Sequence, residues 1–527
     1  MGQCLASLIP AVLVGGCSLI YNPNNIEKPP TDASDAQSVS MIDARIDAPP
    51  LADANPAALT IDAVAPATIY EGQGVDNSPP AMLVIRGHHF IPGATVSVTP
   101  ATDLTLGTPV ISANGDYIAV PVTAAISGTD SGSVTLTVSV NETGAPAPVT
   151  MTGVSLTYLP QLTGGTLTLP LAERYARVAI TASPALSGSD RVIIRSMSSI
   201  TCGNGTGGIS AKGGTPTTTA GVGAAGPGGC AGGGQGAAGG CTGVIGGGGA
   251  GGGGAGGGGG GFGTAGFVGG GGSAGGTIGP AHGSATVITY DGAVADGSDR
   301  NQASGGGGGA TSFSTTATGG GGGGGGGSVE LSAGGDISCG TIDVSGGAGH
   351  DATSTLSTSA AGGGGGGAGG LIVMRTDTGT ITNATLVAAG GTAGAGAGGG
   401  AGGGQGGVGR IRVDAPGTLP ATSPTGTLHR GLSFAAATVT TSMVDNPMVT
   451  LLGTPSDVFD MYVVDGAGVE HFGEPQNQAI ESSGMKVVQV TLLAGYNRLC
   501  ATLRPGARNK DDRFNLADRC IEIAYVP

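Results

Sequence analysis

One block of the sequence is so rich in glycine that it limits what the whole chain can fold into. Residues 203–410 hold 86 of the 112 glycines in the 527-residue chain, and the flanking segments have an ordinary share. Glycine loses more backbone entropy on ordering than any other residue and adds no side chain to a core. Ordinary hydrophobic cores therefore have to come from the residues between and around the glycine runs.

The glycine runs themselves leave two structures open. Flexible coil is the plainer one, because runs such as residues 256–261 have no side chains to bury. The other is a packed set of polyglycine-II helices, in which glycine lets backbones approach closely, much as in collagen. Collagen itself is excluded because there is no strict Gly-x-y period. Nucleotide binding is disfavoured, because no glycine run ends in the Gly-Lys-Ser or Gly-Lys-Thr of a Walker A loop.

A spaced apolar pattern recurs between the glycine runs. In each copy an apolar residue precedes a second landmark by eight positions, at residues 192 and 200, 329 and 337, 373 and 381, and 411 and 419. Short strands, a turn, a glycine pair and a variable excursion are typical of one coil of a parallel β-solenoid, whose coils must stack to bury their apolar stripe. Residues 167–180 suggest a less regular preceding coil.

The repeat also predicts a pattern of disulfides. Cys202 and Cys339 each follow a landmark isoleucine by two positions. If the two coils are neighbours, equivalent positions stack ~4.8 Å apart, within the ~4.4–6.8 Å that a disulfide accepts between Cα atoms. We therefore expect a Cys202–Cys339 bond with residues 215–328 looped out, which leaves Cys230 and Cys241 to pair with each other. The alternative is a chance match of register among small residues.

Both flanks of the repeat region are predicted to be β-sandwiches. Residues 59–158 and 431–527 contain short β-rich runs separated by Gly, Pro, Asn and Asp, and each is the size of one immunoglobulin-like sandwich. Cys500 and Cys520 lie in predicted strands of the second segment, and we expect them to be bonded rather than two buried thiols. The expected fold class is all-β: an immunoglobulin-like sandwich, a β-solenoid-like region over 159–430 and a C-terminal sandwich.

Motif residues in the two sandwiches resemble known families. The stretches Pro66–Gly72 and Leu83–Val96, with Gly87, Phe90 and Gly93, resemble the first strands of IPT/TIG domains. That resemblance implies a binding or spacer module with two turns at the glycines and Phe90 in the core, and it transfers no catalytic residue. The stretch Leu493–Leu499 resembles a turn of bacterial immunoglobulin-like domains.

The N-terminus resembles that of bacterial lipoproteins. A short apolar segment ends in Val14-Gly15-Gly16-Cys17, which is similar to a lipobox. The resemblance implies a signal peptide over 1–17, cleavage before Cys17 and diacylation of its sulfur. Residues 18–58 are then expected to form a disordered tether. By analogy with lipoproteins of Gram-negative bacteria, Ser18 after the cysteine implies the outer membrane, on either its outer or its periplasmic face. No Lys or Arg precedes the apolar segment, and the alternative is a soluble protein with an apolar N-terminal strand.

The sequence presents no recognisable catalytic, cofactor or metal site. The net charge of −15 with 20 basic residues argues against a nucleic-acid partner. Adjacent residues on a strand point to opposite faces, so His88 and His89 are interpreted as surface histidines and not as a metal pair. Residues 296–301 are interpreted as solvated loop acids, with weak calcium binding as the alternative. The acids and bases of the coil strands are scattered, namely Glu330, Asp336, Asp343, Arg375 and Asp377.

These observations favour a non-catalytic, lipid-anchored cell-envelope protein for surface interaction, adhesion or display. Its glycine-studded repeats resemble those of secreted proteins of myxobacteria, which implies a bacterial surface lipoprotein and no activity. The expected partners are the membrane, through Cys17, and an extracellular polysaccharide or matrix protein. The alternative is a carbohydrate-active β-solenoid lyase or hydrolase, which three or more acids converging in a solenoid cleft would favour.

Overall fold

The chain is all-β. The computed structural model describes residues 58–128, 131–145, 147–241, 244–251, 253–271, 275–281, 303–311, 315–424, 428–435, 441–504 and 518–527. Within those residues the helical structure is one 3-10 turn at Gly203–Gly205. The predicted signal peptide and tether, residues 1–58, lie outside the described residues except for residue 58. Residues 57–527 form one compact unit.

The first part of the unit is a sandwich of two sheets. One sheet has the order β1-β3-β7-β5, with β6 also paired to β7, and the other has the order β2-β9-β8-β4. Alternating residues of the two inner faces form one core, in which Leu83, Ile85 and Leu136 are fully buried. The strands are β1 (Thr60–Ala65), β2 (Thr68–Tyr70), β3 (Ala81–His88), β4 (Thr95–Thr99), β5 (Leu104–Leu106), β6 (Val110–Ile111), β7 (Tyr117–Ala124), β8 (Gly132–Asn141) and β9 (Val149–Tyr158).

The residues expected to shape this sandwich have distinct roles. Phe90 is buried in the core, as expected. Gly93 has a φ of +93°, which a turn residue with a side chain rarely adopts. Gly87 lies inside β3 and not in a turn. A Cβ there would lie 1.9 Å from the carbonyl oxygen of Thr60, so Gly87 serves close strand approach, and its predicted role in a turn is wrong.

Residues 162–430 wind through three parallel sheets as a β-solenoid. The sheets have the orders β12-β18-β22-β25-β27, β10-β11-β13-β19-β23 and β14-β20-β24-β26, here called sheets 1, 2 and 3. Two small antiparallel pairs, β15-β16 and β17-β21, lie outside these sheets. The strands are β10 (Leu162–Thr168), β11 (Val178–Ser187), β12 (Val192–Ser196), β13 (Ile200–Cys202), β14 (Ile209–Ser210), β15 (Gly240–Cys241), β16 (Val244–Ile245), β17 (Ala317–Thr318), β18 (Ser328–Ala333), β19 (Ile337–Ser338), β20 (Thr341–Asp343), β21 (Thr353–Ser354), β22 (Leu371–Thr376), β23 (Ile381–Thr382), β24 (Thr385–Val387), β25 (Arg410–Asp414), β26 (Ala421–Ser423) and β27 (Leu428–Arg430).

The coil register agrees with the predicted repeat except at residues 373 and 419, and residue 419 lies in no strand. Ile200 pairs with Ile337, and Ile337 pairs with Ile381, so the coils at 200 and 337 are neighbours across 137 residues. In sheet 1, however, Val329 pairs with Ile372 and not with the predicted Val373. The run Leu-Ile-Val-Met of β22 is apolar on both faces and buried on both. Alternation in the sequence therefore could not decide which residues face the solenoid core.

Three successive coils leave sheet 3 after β14, β20 and β24, make a glycine-rich excursion and return to sheet 1. We call the stretches of these excursions glycine legs, among them residues 256–261, 303–310, 319–327, 344–352, 362–370, 389–397 and 401–409. These legs are packed against one another and are not flexible chain. Hydrogen bonds that link the strands of sheet 3 continue into the legs, because the amides of Gly346 and Gly349 donate to the carbonyls of Ala389 and Thr392 in the next coil.

The leg 362–370 displays the polyglycine-II arrangement in full. Its amides donate to three neighbouring legs in rotation, and its carbonyls accept from three further legs, 256–261, 319–327 and 389–397. Contact with the same neighbour at every third residue requires three residues per turn and no hydrogen bonds within the leg. The donors Gly363, Gly366 and Gly369 reach Ala401, Gly404 and Gly407; Gly362, Gly365 and Ala368 reach Ala310, Gly307 and Ser304; and Gly364, Gly367 and Gly370 reach His350, Gly347 and Val344.

This packing explains the glycine content directly. A Cβ built on any glycine of the leg 362–370 would lie 1.8–2.1 Å from a carbonyl oxygen of another leg. The exception in the leg is Ala368, which is buried beside Phe262. Phe262 itself is fully buried in a cluster with Ala303, Leu371 and Val373, where it joins the glycine legs to the outer face of sheet 1.

The C-terminal part is a second two-sheet sandwich. Its sheets have the orders β28-β30-β34 and β29-β36-β35-β31-β32, with β33 paired to β31. Phe459, Leu499 and Ile523 are fully buried in its core. The strands are β28 (Ser433–Phe434), β29 (Thr441–Ser442), β30 (Met448–Leu452), β31 (Val458–Asp465), β32 (Glu470–His471), β33 (Gln478–Ala479), β34 (Met485–Gln489), β35 (Gly495–Leu503) and β36 (Asp518–Tyr525).

A loop of the first sandwich binds it to the solenoid. The Asp76 carboxylate accepts two hydrogen bonds of 2.8 Å from Arg177, the residue directly before β11 of the solenoid. The neighbouring Asn77 side chain donates to Asp336, which lies between β18 and β19. Asp76 and Asn77 both have positive φ values, 53° and 63°, so the loop is bent to present both side chains to the coils.

The two sandwiches also contact each other directly. Met82 and Val84 of β3 are buried against Ala524 and Val526 at the end of the chain. The Ala113 amide donates a 2.8 Å hydrogen bond to the carbonyl of the last residue, Pro527. The sandwiches that flank the glycine block in the sequence are therefore neighbours in space.

Replacing one interior glycine should test the packed state of the legs. Gly364→Ala would place a Cβ 1.9 Å from the carbonyl oxygen of Gly321, and overpacking of that kind costs about 3 kcal/mol or more where nothing can move. We expect a lower Tm by calorimetry. Gly402→Ala is the matched control, because its Cβ would lie 3.5 Å from the nearest atom, an oxygen of Gly394. Equal melting of both variants would contradict the packed arrangement.

The disulfide between neighbouring coils should be a large contributor to stability. Cys202 and Cys339 are bonded, with Cα atoms 4.7 Å apart and a sequence separation of 137. Removing the bond with Cys202→Ala and Cys339→Ala should cost about 4–5 kcal/mol in the chain-entropy model. The pair Cys500 and Cys520, 20 residues apart, should cost only about 3 kcal/mol when replaced in the same way. A smaller fall in Tm for the first pair than for the second would contradict the entropic account.

Candidate functional site

A pocket of about 410 Å³ lies where the two sandwiches meet. Cavities of this size fall within the ~300–1,000 Å³ range of small-molecule sites. Its walls combine apolar residues with one cation, one anion and two tyrosines. The lining residues are Ala63, Val64, Ala65, Val84, Arg86, Tyr117, Asp465, Gly466, Ala467, Leu493, Ala494, Gly495 and Tyr496.

One wall is the outer face of the first sandwich. Arg86 lies on β3 between Ala63 of β1 and Tyr117 of β7, and it pairs directly with both in the sheet register. Side chains of residues paired in this way stand about 5 Å apart on the same face. Alternation along β3 places Val84 on that face too, where it is buried at the base of the wall.

The opposite wall comes from two turns of the second sandwich. One is the turn after β31, which begins at Asp465 and Gly466 and continues into β32. The Asp465 carboxylate accepts hydrogen bonds from the amides of Ala467 and Val469, both 2.9 Å, and its second oxygen lies 3.0 Å from His471 Nε2. Burial alone would raise the pKa of Asp465, but the bonds from His471, Val469 and Ala467 bring it below the ordinary value. Asp465 is therefore ionised at neutral pH.

The second turn is the one that resembles bacterial immunoglobulin-like domains. Asn497 is fully buried and closes the turn with both ends of its amide. Its Oδ1 accepts from the Leu493 amide at 2.8 Å, and its Nδ2 donates to the carbonyls of Leu493 and Gly495. Gly495 has a φ of +101°, and a Cβ there would lie 3.1 Å from the ring of Tyr117. The motif therefore shapes the wall that carries Tyr496.

Arg86 is the most available charged group in the pocket. Its side chain is exposed. Within the described part of the chain, no hydrogen bond or ion pair engages its guanidinium, and Asp465 is not within ion-pair distance of it. Tyr117 and Tyr496 are each half-buried, so part of each side chain remains accessible. The pocket thus offers a cation, two aromatic side chains and a fixed carboxylate to a ligand.

The charged residues of the coil strands serve structural contacts instead. Glu330 is buried and pairs with Arg195 at 2.8 Å across sheet 1. On the same outer face, Arg412 and Asp414 are fully buried and joined by two hydrogen bonds of 2.7 and 2.8 Å. Buried charges must be paired in this way to offset desolvation.

Arg375 and Asp377 belong to the same buried region. Burial, and then the nearby charge of Arg519, lowers the pKa of Arg375 to about 9, whereas Asp414 and Asp377 act in the opposite direction. The guanidinium remains protonated at neutral pH. Asp377 lies 3.4 Å from Arg519 of β36, so these residues connect sheet 1 to the C-terminal sandwich.

The two remaining coil acids are engaged elsewhere. Asp336 accepts hydrogen bonds from Asn77 and from the amide and hydroxyl of Thr380. Asp343 of sheet 3 pairs with Lys212 at 2.8 Å. The five charged residues singled out from the sequence are thus not brought together at one cleft.

The histidines singled out from the sequence lie near one strand end. His88 Nδ1 is 3.0 Å from Asp116 and its Nε2 is 3.3 Å from Asp62. His89 has a φ of 65° in the following turn, with its ring centre 6.3 Å from that of His88. Over the described ranges, no group of three or more His, Cys, Asp or Glu residues is placed to hold a metal ion. The acids at 296 and 299 lie outside the described residues.

The cysteines are only partly described. Cys202–Cys339 and Cys500–Cys520 are disulfides, the pairs that the repeat register and the strand positions predict. Cys230 is also disulfide-bonded, but the side chain of its predicted partner Cys241 lies outside the described residues. Cys17, the predicted lipidation site, lies outside them as well. None of the helical structure described is long and apolar enough to cross a membrane.

Comparison with known proteins gave no relative. No protein-family model, curated protein or solved structure matches this chain.

The close contact at Gly495 should be sensitive to a single methyl group. Gly495→Ala combines a φ of +101° with a Cβ 3.1 Å from Tyr117, and a strained backbone of this kind costs about 1–3 kcal/mol. We expect a lower Tm by calorimetry. Gly473→Ala in the same sandwich is the control, because nothing lies within 4 Å of its Cβ. If the two variants melt alike, the turn does not support the pocket wall in this way.

Proposed function

We propose that the protein is a non-catalytic cell-envelope protein, lipid-anchored through Cys17, that binds an extracellular ligand in the pocket between its two sandwiches. The pocket carries the proposal. It joins an accessible cation with two half-buried tyrosines and an ionised carboxylate, which is the mixture of apolar surface and few polar groups typical of ligand sites.

The rest of the compact unit suits a rigid support for such a site. The solenoid coils are joined by parallel strand pairing and by the Cys202–Cys339 bond, and the glycine legs by backbone hydrogen bonds. Sites on rigid elements hold their geometry better than sites on isolated loops. The first sandwich is fixed to the coils by Asp76 and Asn77 and the second by Arg519, which supports a constant spacing of the two walls of the pocket.

The charge pattern of the coils supports binding over catalysis. A solenoid lyase or hydrolase would use acids that converge on one accessible face. Here Glu330 and Asp414 are buried in ion pairs, and Asp343 lies on another sheet with Lys212. Glu330 and Asp343 thus join neighbouring coils, and Asp414 pairs within its own strand.

The proposed function predicts both binding and anchoring. The purified full chain in detergent should bind members of an array of matrix polysaccharides and proteins. Ala467→Trp should weaken that binding at least about tenfold, because it places a large ring at the exposed rim of the pocket. Expressed in a Gram-negative host, the wild type should enter the detergent phase, and Cys17→Ser should leave the protein unprocessed.

The control for the pocket is Ala101→Trp, the same change at an exposed alanine outside it. Binding that survives Ala467→Trp would remove the pocket from the proposal. Absence of any ligand on the array would overturn the binding function. A Cys17→Ser variant that matures and partitions like the wild type would overturn the lipid anchor.

A further inference from the structure

We infer that the pocket between the sandwiches binds a carboxylated sugar, a uronate unit of an acidic polysaccharide, and that Arg86 is the residue that selects the acid. This inference rests on the proposed function and adds the ligand class. It follows from what each wall offers and from the charge of the whole chain.

Arg86 supplies the recognition of the acid. A guanidinium presents several N–H donors in a planar fork that matches the two oxygens of a carboxylate. Arg86 stands on the central strand of its sheet with neighbours on both sides, so its base is fixed. Its guanidinium is engaged by no other residue in the described part of the chain, so a ligand need not break an ion pair to reach it.

The tyrosines and Asp465 favour a sugar over other carboxylates. One face of a pyranose ring exposes mainly C–H groups, which pack against the electron-rich face of an aromatic ring. Tyr117 and Tyr496 offer that surface from opposite walls. Asp465 is ionised, and the oxygen that faces His471 still has a lone pair for a ligand hydroxyl. A simple carboxylate would leave these groups unused.

Because the chain as a whole is acidic, an acidic polysaccharide needs a local site such as the pocket to bind. The chain has a charge of −15, which repels a polyanion in general. At physiological ionic strength, however, exposed charges are screened beyond about 8 Å. A uronate in the pocket would therefore respond mainly to the two charges of the lining, Arg86 and Asp465. Arg86 is the one that attracts it, so removal of this cation should abolish the preference for acid.

Oligosaccharides that differ only in charge give the direct test. Titration calorimetry of the full chain in detergent would compare tetramers of galacturonate, glucuronate and mannuronate with their methyl esters, and with acetate. We expect at least one uronate tetramer to bind about tenfold or more tightly than its methyl ester, because the ester cannot form the charged hydrogen bonds. Arg86→Gln should remove that difference, and Lys486→Gln, which removes the same charge elsewhere on the second sandwich, should keep it.

The outcomes separate this inference from the proposed function. Equal binding of acid and ester, a preference that survives Arg86→Gln, or failure of all three uronates would overturn the uronate assignment. Acetate that binds as tightly as the tetramers would overturn the part of the assignment that requires a sugar. In each case the proposed binding function would still hold if the array yields a ligand whose binding is weakened by Ala467→Trp.

Discussion

Backbone hydrogen bonds between glycine legs are the interaction on which the centre of this molecule depends. Each amide of the leg 362–370 donates to another leg, and the same neighbour recurs at every third residue. These bonds satisfy the main chain without sheets or helices and without side chains. The absence of a Cβ is what permits them, because the Cα hydrogens point at carbonyl oxygens of the next leg. The glycine block is thus a core built from backbone.

The solenoid provides the frame that starts and ends each leg. Every excursion leaves from sheet 3 and returns to sheet 1, so the stacking of coils sets the stacking of legs. Val344 shows the transition, since its amide donates to the next coil in strand fashion and its carbonyl accepts from Gly370. Phe262 then fills the space between the legs and sheet 1, where its ring also lies under Arg410. Ordinary side-chain packing and backbone packing therefore support each other.

Charges buried on the outer face of sheet 1 connect the solenoid to the C-terminal sandwich. Arg412 and Asp414 pair there out of contact with water, and Arg519 of β36 reaches Asp377. Such pairs add little net stability, but removing one partner leaves the other charge buried and uncompensated. The contacts of Arg519 with Asp377 and with the Thr376 carbonyl cross between the two parts and fix how the second sandwich sits on the coils. That position, together with the contact between Val84 and the chain end, creates the pocket.

Local patterns in the sequence predicted the fold class, many of the strands and the two described disulfide pairs. Period-two alternation marks strands because successive side chains face opposite sides, and Cys202 and Cys339 share a place in a repeat whose coils must stack. The motif around Asn497 likewise marked a turn. One register error fell at Val373, where both faces of β22 are buried and alternation carries no information. The other fell at Leu419, which lies in no strand. The tertiary structure alone decided the state of the glycine runs, because residues without side chains give no pattern to read. It alone placed Arg86 opposite Asp465 and Tyr496, since such contacts depend on the packing of whole domains and not on any local spacing.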